Sequence, residues 1–390
     1  MGKIIEYIAK ETEGKPFASY RYCYDSESQS GAENLEEKEL RNLRDYAENV
    51  KDAKTRNMAY LAGEAMKRAP LFRYFLDGSR MVYKVDDIQY DSKVYPIVAG
   101  QISVACCERK MLSDGITFGS FAHVEEEAYS VLSLPEVANP TGEKPNLFFG
   151  NLCRKANEQE VSKRNSIVIK KILPYSTLVR GEETLEKHAI ACVQDEMIDC
   201  EKAIVARLVA QHKLTRNSYL IKDGSLQYKT MKSGEYGEMN RIRSNYQCVV
   251  GVSKSFNPDL MQDNKGRSMA ADIANLPLFH RTPAFKWQPD PSLCEASFAI
   301  WYVRIRERGY TANPYAGILK IEKMLMTGQE DEFGLNSEEI NVITANIINE
   351  RNPVCYGTDA RWANHIYPVY MTERYCKSKF KSAYYFLNLF

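Results

Sequence analysis

The sequence predicts an α/β protein built on one mixed central sheet flanked by helices, on three observations. Short apolar runs rich in Val, Ile and aromatic residues alternate with longer stretches of helix-forming composition. Three of those runs follow closely after residue 70, spaced as an antiparallel meander. The phrase Asp-Gly-Ser occurs twice, at Asp77-Gly78-Ser79 and Asp223-Gly224-Ser225, each time closing a strand-like run.

Taken in order, residues 1–30 show no clear period. Asn34 followed by Glu37 reads as a helix N-cap with a capping box. The helix-forming composition continues to about Met66, with Leu40, Leu43, Tyr46 and Ala47 as its apolar stripe, and Pro70 ends it. Residues 1–70 therefore read as an N-terminal helical extension and 71–390 as the main domain. Strands are expected at 71–76, ending at Asp77, then at 81–85 and 94–107. An insertion is expected at about 110–172, holding a helix near 124–132, a Pro/Gly/Asn-rich loop over 134–146 and a strand at 166–172. A long acidic helix follows from 182 to about 212 and leads into the strand 219–222 that delivers Asp223. Further strands are expected at 248–254, 298–305 and 317–321, and helices at 337–350 and 370–387.

Bulk properties narrow the class. The 390 residues carry 44% apolar and 26% charged side chains, as a soluble globular protein does. No run approaches the ~20 apolar residues that cross a bilayer, and the N-terminus lacks the apolar stretch of a secretory signal. Gly2 alone does not make a myristoylation signal, because Glu6 stands where Ser or Thr is usual. Ten scattered cysteines without a CxxC pair suit reduced thiols in the cytoplasm better than a zinc site or a disulfide scaffold. A net charge of +1 excludes a generally basic nucleic-acid coat but not a segregated basic groove.

The two Asp-Gly-Ser phrases carry the chemistry. A strand that ends in Asp and Gly holds a carboxylate at the rim of a sheet and leaves room for a ligand at the backbone. Two such ends can set two carboxylates side by side, and adjacent carboxylates repel unless a cation lies between them. The pair points to a hard divalent metal held by Asp77 and Asp223. Seen alone, each phrase is ordinary turn chemistry. The closing segment 374–381 interleaves basic and aromatic residues, a composition compatible with a single-strand path.

The order of elements resembles an RNase H-like layout, in which acids come from the first strand, the following helix and the next strand. More specifically, the chain resembles a NurA-type nuclease. The residues that carry this are Phe75-Leu76-Asp77-Gly78-Ser79, Leu220-Ile221-Lys222-Asp223-Gly224-Ser225-Leu226, Val250-Gly251-Val252-Ser253-Lys254 and Tyr367-Pro368. The resemblance implies Mn²⁺ or Mg²⁺ held by Asp77, Asp223 and a helix acid, with Glu201 first and Glu196, Asp195 and Asp199 as alternatives. It also implies Lys254 facing the phosphate, DNA ends as substrate, a homodimer, and a HerA-type hexameric ATPase as partner. The family commonly has a histidine about two turns after the Tyr-Pro. Here Glu373, Arg374 and Tyr375 stand there, and His365, just before Tyr367-Pro368, is the substitute candidate.

Overall fold

A computed structural model of the chain describes residues 3–25, 41–42, 45–52, 54–159, 167–179, 181, 183–227, 236–263, 265–288, 296–351 and 360–390. Three long strands, β1 (Phe72–Tyr90), β2 (Lys93–Met111) and β3 (Phe118–Pro135), pair antiparallel in chain order. At ~3.3 Å per residue each extends on the order of 60 Å. β4 (Ile169–Tyr175) adds parallel to β3. On the other side of β1, β5 (Tyr219–Asp223) pairs parallel with its first residues, and β6 (Val249–Ser253) runs parallel to β5. β7 (Phe298–Arg304) and β8 (Ile318–Met324) form an antiparallel pair, and β8 joins it to β6. The strand order is therefore β7-β8-β6-β5-β1-β2-β3-β4.

The sheet is flanked by helices α1 (Lys3–Glu11), α2 (Ala59–Ala65), α3 (Pro145–Asn157), α4 (Leu185–Ala210), α5 (Tyr236–Asn245), α6 (Ser337–Asn349), α7 (Tyr367–Ser378) and α8 (Ala383–Leu387). The Thr184 hydroxyl caps α4 by accepting from the Lys187 amide. Its Val193, Met197, Ile204 and Leu208 pack over one face of the sheet with Leu76, Val104 and Leu220. The other face buries Phe75, Ile221, Val250 and Trp301 under Ile340, Ile343 and Ile347 of α6 and Val369 of α7. The far ends of β1–β3 form a third cluster with Ile4 and Ile8 of α1, Phe149 of α3, and Phe386 and Phe390 at the C-terminus.

The structure corrects several expectations. Residues 124–132 are not a helix but part of β3, whose half-exposed acidic stretch Glu125-Glu126-Glu127 has the composition of a surface helix. The expected insertion thus supplies the third strand of the meander as well as α3 and β4. Residues 3–11, without a clear period in the sequence, form α1. Among the described residues the expected long helix reduces to α2, with short strands at Asp45–Tyr46 and Arg56–Asn57 before it. The Asn34–Glu37 capping box lies outside the described residues. The expected first and second strands are one, because Asp77-Gly78-Ser79 pairs with Ala105, Val104 and Ser103 without a turn. The last helix is two, α7 and α8. No helix among the described residues is long and apolar enough to cross a membrane.

Candidate functional site

Parallel pairing of β1 with β5 sets Ile221 beside Phe75 and Lys222 beside Leu76. The next residues, Asp77 and Asp223, therefore lie level on neighbouring strands, whose spacing is about 4.8 Å. Side chains alternate across a sheet. Phe75 and Ile221 belong to the α6–α7 core, and Leu76 and Leu220 to the α4 core. Alternation turns Asp77 and Asp223 toward α7, and Gly78 and Lys222 toward α4.

On the α7 side, Lys254 follows β6 and Glu373 lies in the second turn of α7. The Lys254 ammonium sits 3.0 Å from Asp223 Oδ2 and 3.1 Å from Glu373 Oε2, and it is 8% exposed. Glu373 also holds Lys377, 2.7 Å away one turn along the helix. The Lys254 carbonyl accepts a bond from the Asn364 amide nitrogen at 2.6 Å, which fixes the chain after β6. Cys376 donates to the Asp77 carbonyl at 3.5 Å, fastening α7 over β1.

The charges set one another. Burial, and after it the Asp223 charge, raise the Asp77 carboxyl well above the usual carboxylate range, against the pull of Lys254. Asp77 is 4% exposed, and its Oδ2 accepts no hydrogen bond from the described residues. Burial opposes the Lys254 charge, but Asp223, Glu373 and Asp77 together raise its pKa, so the ammonium stays protonated. For Glu373, burial works upward and is outweighed by Lys254 and Lys377, which hold it down to about 2.

Glu201 approaches from α4. It is 3% exposed, and its Oε2 lies 3.0 Å from the Lys222 ammonium, which also donates to the Asp223 carbonyl at 2.9 Å. It reaches the strand because residue 78 is glycine: a Cβ there would stand 2.5 Å from Glu201 Oε1. Glu201 is thus placed on the α4 face, opposite the side to which alternation turns the two aspartates, and its charge still adds to the field that raises Asp77. The loop after Asp223 turns at Gly224, with φ of +81°, and is held by buried Glu322, which accepts from the Ser225 hydroxyl and the Leu226 amide at 2.7 and 2.9 Å.

The fold therefore brings Asp77, Asp223 and Lys254 together and sets Glu201 nearby. Glu196 lies elsewhere. Five residues along a helix turn it away from Glu201, and it accepts from the Tyr129 hydroxyl at 2.7 Å and pairs with Lys171 at 2.7 Å. Asp199 pairs with Lys202 on the surface. His365 is fully buried, its ring stacked on Tyr370 at 5.0 Å. Glu373 is the acid that the sequence did not select. Its only signal is its position after Tyr367-Pro368, where a histidine is expected and not found. In the 374–381 segment, Lys377 is engaged by Glu373, while Lys379 lies over the Tyr375 ring and pairs with Glu126.

This donor set fits a hard divalent cation. It offers carboxylate oxygens alone, one of them buried without a hydrogen bond from the described residues, beside a second carboxylate on the adjoining strand. Among the described residues no three such side chains form a ready ligand set, and the Lys254 ammonium lies between Asp223 and Glu373. No protein-family model matches the chain, and no curated protein matches it.

Proposed function

We propose that the protein is a divalent-metal-dependent deoxyribonuclease of RNase H-like, NurA-type architecture that hydrolyses phosphodiester bonds at DNA ends. The observation that carries this reading is the parallel register that ends at Lys222 beside Leu76 and so brings buried Asp77 level with Asp223 on the adjoining strand. The strand order β3-β2-β1-β5-β6, with an antiparallel meander followed by two parallel strands, supports the architecture.

Asp77 and Asp223 would hold Mn²⁺ or Mg²⁺, with Glu373 the nearest further carboxylate on α7. A bound ion supplies charge neutralisation at the phosphorus and a water nucleophilic near neutral pH. Lys254, kept protonated by its three acidic neighbours, provides a fixed positive charge for the negative charge that grows on the phosphoryl oxygens. Glu373 and Asp223 aim that ammonium, and Lys222 holds Glu201 on the α4 side. A cytoplasmic homodimer fed by a HerA-type hexameric ATPase completes the proposal; the cytoplasm rests on the scattered cysteines, and the homodimer and the ATPase on the motif resemblance alone.

The test is degradation of labelled linear single- and double-stranded DNA in Mn²⁺ by the wild type, Asp77→Asn and Asp223→Asn. Each variant should lose about 10²–10³-fold in rate, the scale of one lost electrostatic contributor. Equal rates in all three would sink the assignment, and preference for four-way junctions over linear ends would make it a junction resolvase. The Lys254 ammonium between Asp223 and Glu373 favours one second reading, a catalytically weak adaptor on a translocating ATPase. That reading requires a folded wild type that binds DNA and does not cut it.

A further inference from the structure

We propose that a groove next to the acids is a base-stacking subsite for a single-stranded nucleic-acid end; the proposal rests on the nuclease reading above. The groove holds about 360 Å³ between the end of α2, the ends of β2 and β3, and the junction of α6 with α7. Three rings line it: Phe118 and Phe121 have centroids 4.8 Å apart, and Phe121 and Tyr367 6.4 Å apart. Phe118 is 49% and Tyr367 40% exposed, so ring area faces water in a concave site rather than a core.

The rings are held from behind. The Arg109 guanidinium lies 5.9 Å from the Phe121 centroid and 5.2 Å from that of Phe75. It is itself locked by a two-pronged bond to buried Glu350. Phe121 and Phe75 meet edge to face at 5.9 Å. Such a preset platform loses little freedom when a base stacks on it.

Charge selects the occupant. Glu350 is the one acid lining the groove among the described residues, and it is spent on Arg109. Exposed Arg68 and half-buried Arg351 leave the rim positive, which suits phosphates. Ring faces with a cationic rim are how sequence-tolerant single-strand sites are built. The groove also adjoins the acids. Phe75 precedes Asp77 by two residues on the same face of β1, ~7 Å along the strand. Tyr367 and Glu373 are six residues apart on α7, ~9 Å along its axis and ~120° apart around it, so a strand that reaches both passes over the helix.

The experiment is fluorescence anisotropy of a labelled twelve-residue oligothymidylate without divalent ions, so that nothing is cut. Phe118→Leu and Tyr367→Leu keep apolar bulk and remove the ring face. Each should weaken binding about 5- to 50-fold with unchanged thermal melting, whereas Phe118→Trp should keep wild-type affinity. Arg68→Gln should flatten the log–log salt dependence by about 0.7. Unchanged affinity in both Leu variants overturns the subsite, leaves the groove to a protein partner, and does not touch the cleavage test above. A wild type that fails to bind the oligomer overturns the subsite as well, while cleavage of linear DNA still decides the nuclease reading separately.

Discussion

Asp77 is a carboxylate that the fold makes costly to ionise, since burial and the neighbouring Asp223 both favour its neutral form. With the folded pKa raised above the unfolded value, the favourable contribution of the protonated group is complete below ~3.9 and is lost as pH rises through the folded pKa. Asp77→Asn removes that loss. Without divalent ions it should stabilise the protein at pH 7 by ~1–2 kcal/mol, a few degrees in melting temperature at this length, with the gain shrinking toward pH 4. A variant that melts lower than wild type at pH 7 would contradict the burial argument. Glu373 has the opposite sign: held down to about 2, it adds stability above its unfolded pKa that fades as pH falls toward 2. Lys254 is the hinge of this balance. Lys254→Met leaves Asp223 and Glu373 without their shared counter-charge and should cost ~3–5 kcal/mol in the absence of metal. Addition of Mn²⁺ should then raise its melting temperature more than it raises that of the wild type; an equal rise would mean the ion binds elsewhere.

At the scale of elements, one tripeptide does two jobs. Asp223-Gly224-Ser225 ends β5 with Gly224 at φ +81°, as turn chemistry suggests, but Asp77-Gly78-Ser79 runs on inside a nineteen-residue strand. The two look alike in sequence because both follow an apolar run; what separates them is tertiary. Gly78 is there so that the Glu201 carboxylate of α4 can touch the strand. Gly78→Ala should therefore cost ~1–3 kcal/mol through overpacking against Glu201 and Met197. Gly224→Ala, with only Lys222 Nζ at 3.9 Å, should cost ~1–2 kcal/mol through its backbone alone. Urea denaturation of the two, each with and without Glu201→Ala, separates the causes: the shorter side chain should relieve the first and not the second. The apolar runs that form β5, β6, β7 and β8 are legible because their flanks are turn-rich and their cores β-branched or aromatic. β3 is not, because a strand with one half-exposed acidic stretch has the composition of a surface helix. Glu373 is not, because nothing local marks which face of a twelve-residue helix meets an acid on a strand nearly three hundred residues earlier.

Over the whole molecule, the division into a helical extension and a main domain understates how far residues 1–70 are built into the sheet. Lys15–Pro16 and Tyr22–Cys23 pair with the second half of β1, and Asp45–Tyr46 extends the opposite edge through Phe285–Trp287. The N-terminal segment thus contributes strands at two separate places in the sheet. The fastening at the β7 end is a buried ion pair, in which Arg281 meets Glu48 at 2.9 and 3.1 Å with both side chains fully buried. Glu48 also accepts from the Ala284 amide at 2.9 Å, and although burial works upward, Arg281 lowers its pKa. Removing one partner of such a pair strands the other charge in the interior. Glu48→Ala should therefore cost ~3–5 kcal/mol, while Glu48→Gln, which keeps an acceptor for Arg281 and Ala284, should cost less. If the N-terminal segment is one cooperative unit with the sheet, urea unfolding of Glu48→Ala followed by tryptophan fluorescence and by far-ultraviolet dichroism will give coincident transitions at a lower midpoint. Of the three tryptophans, Trp301 of β7 lies in the α6-side core and Trp287 in the strand that Asp45–Tyr46 joins, so separate transitions would show that the segment detaches before the core melts.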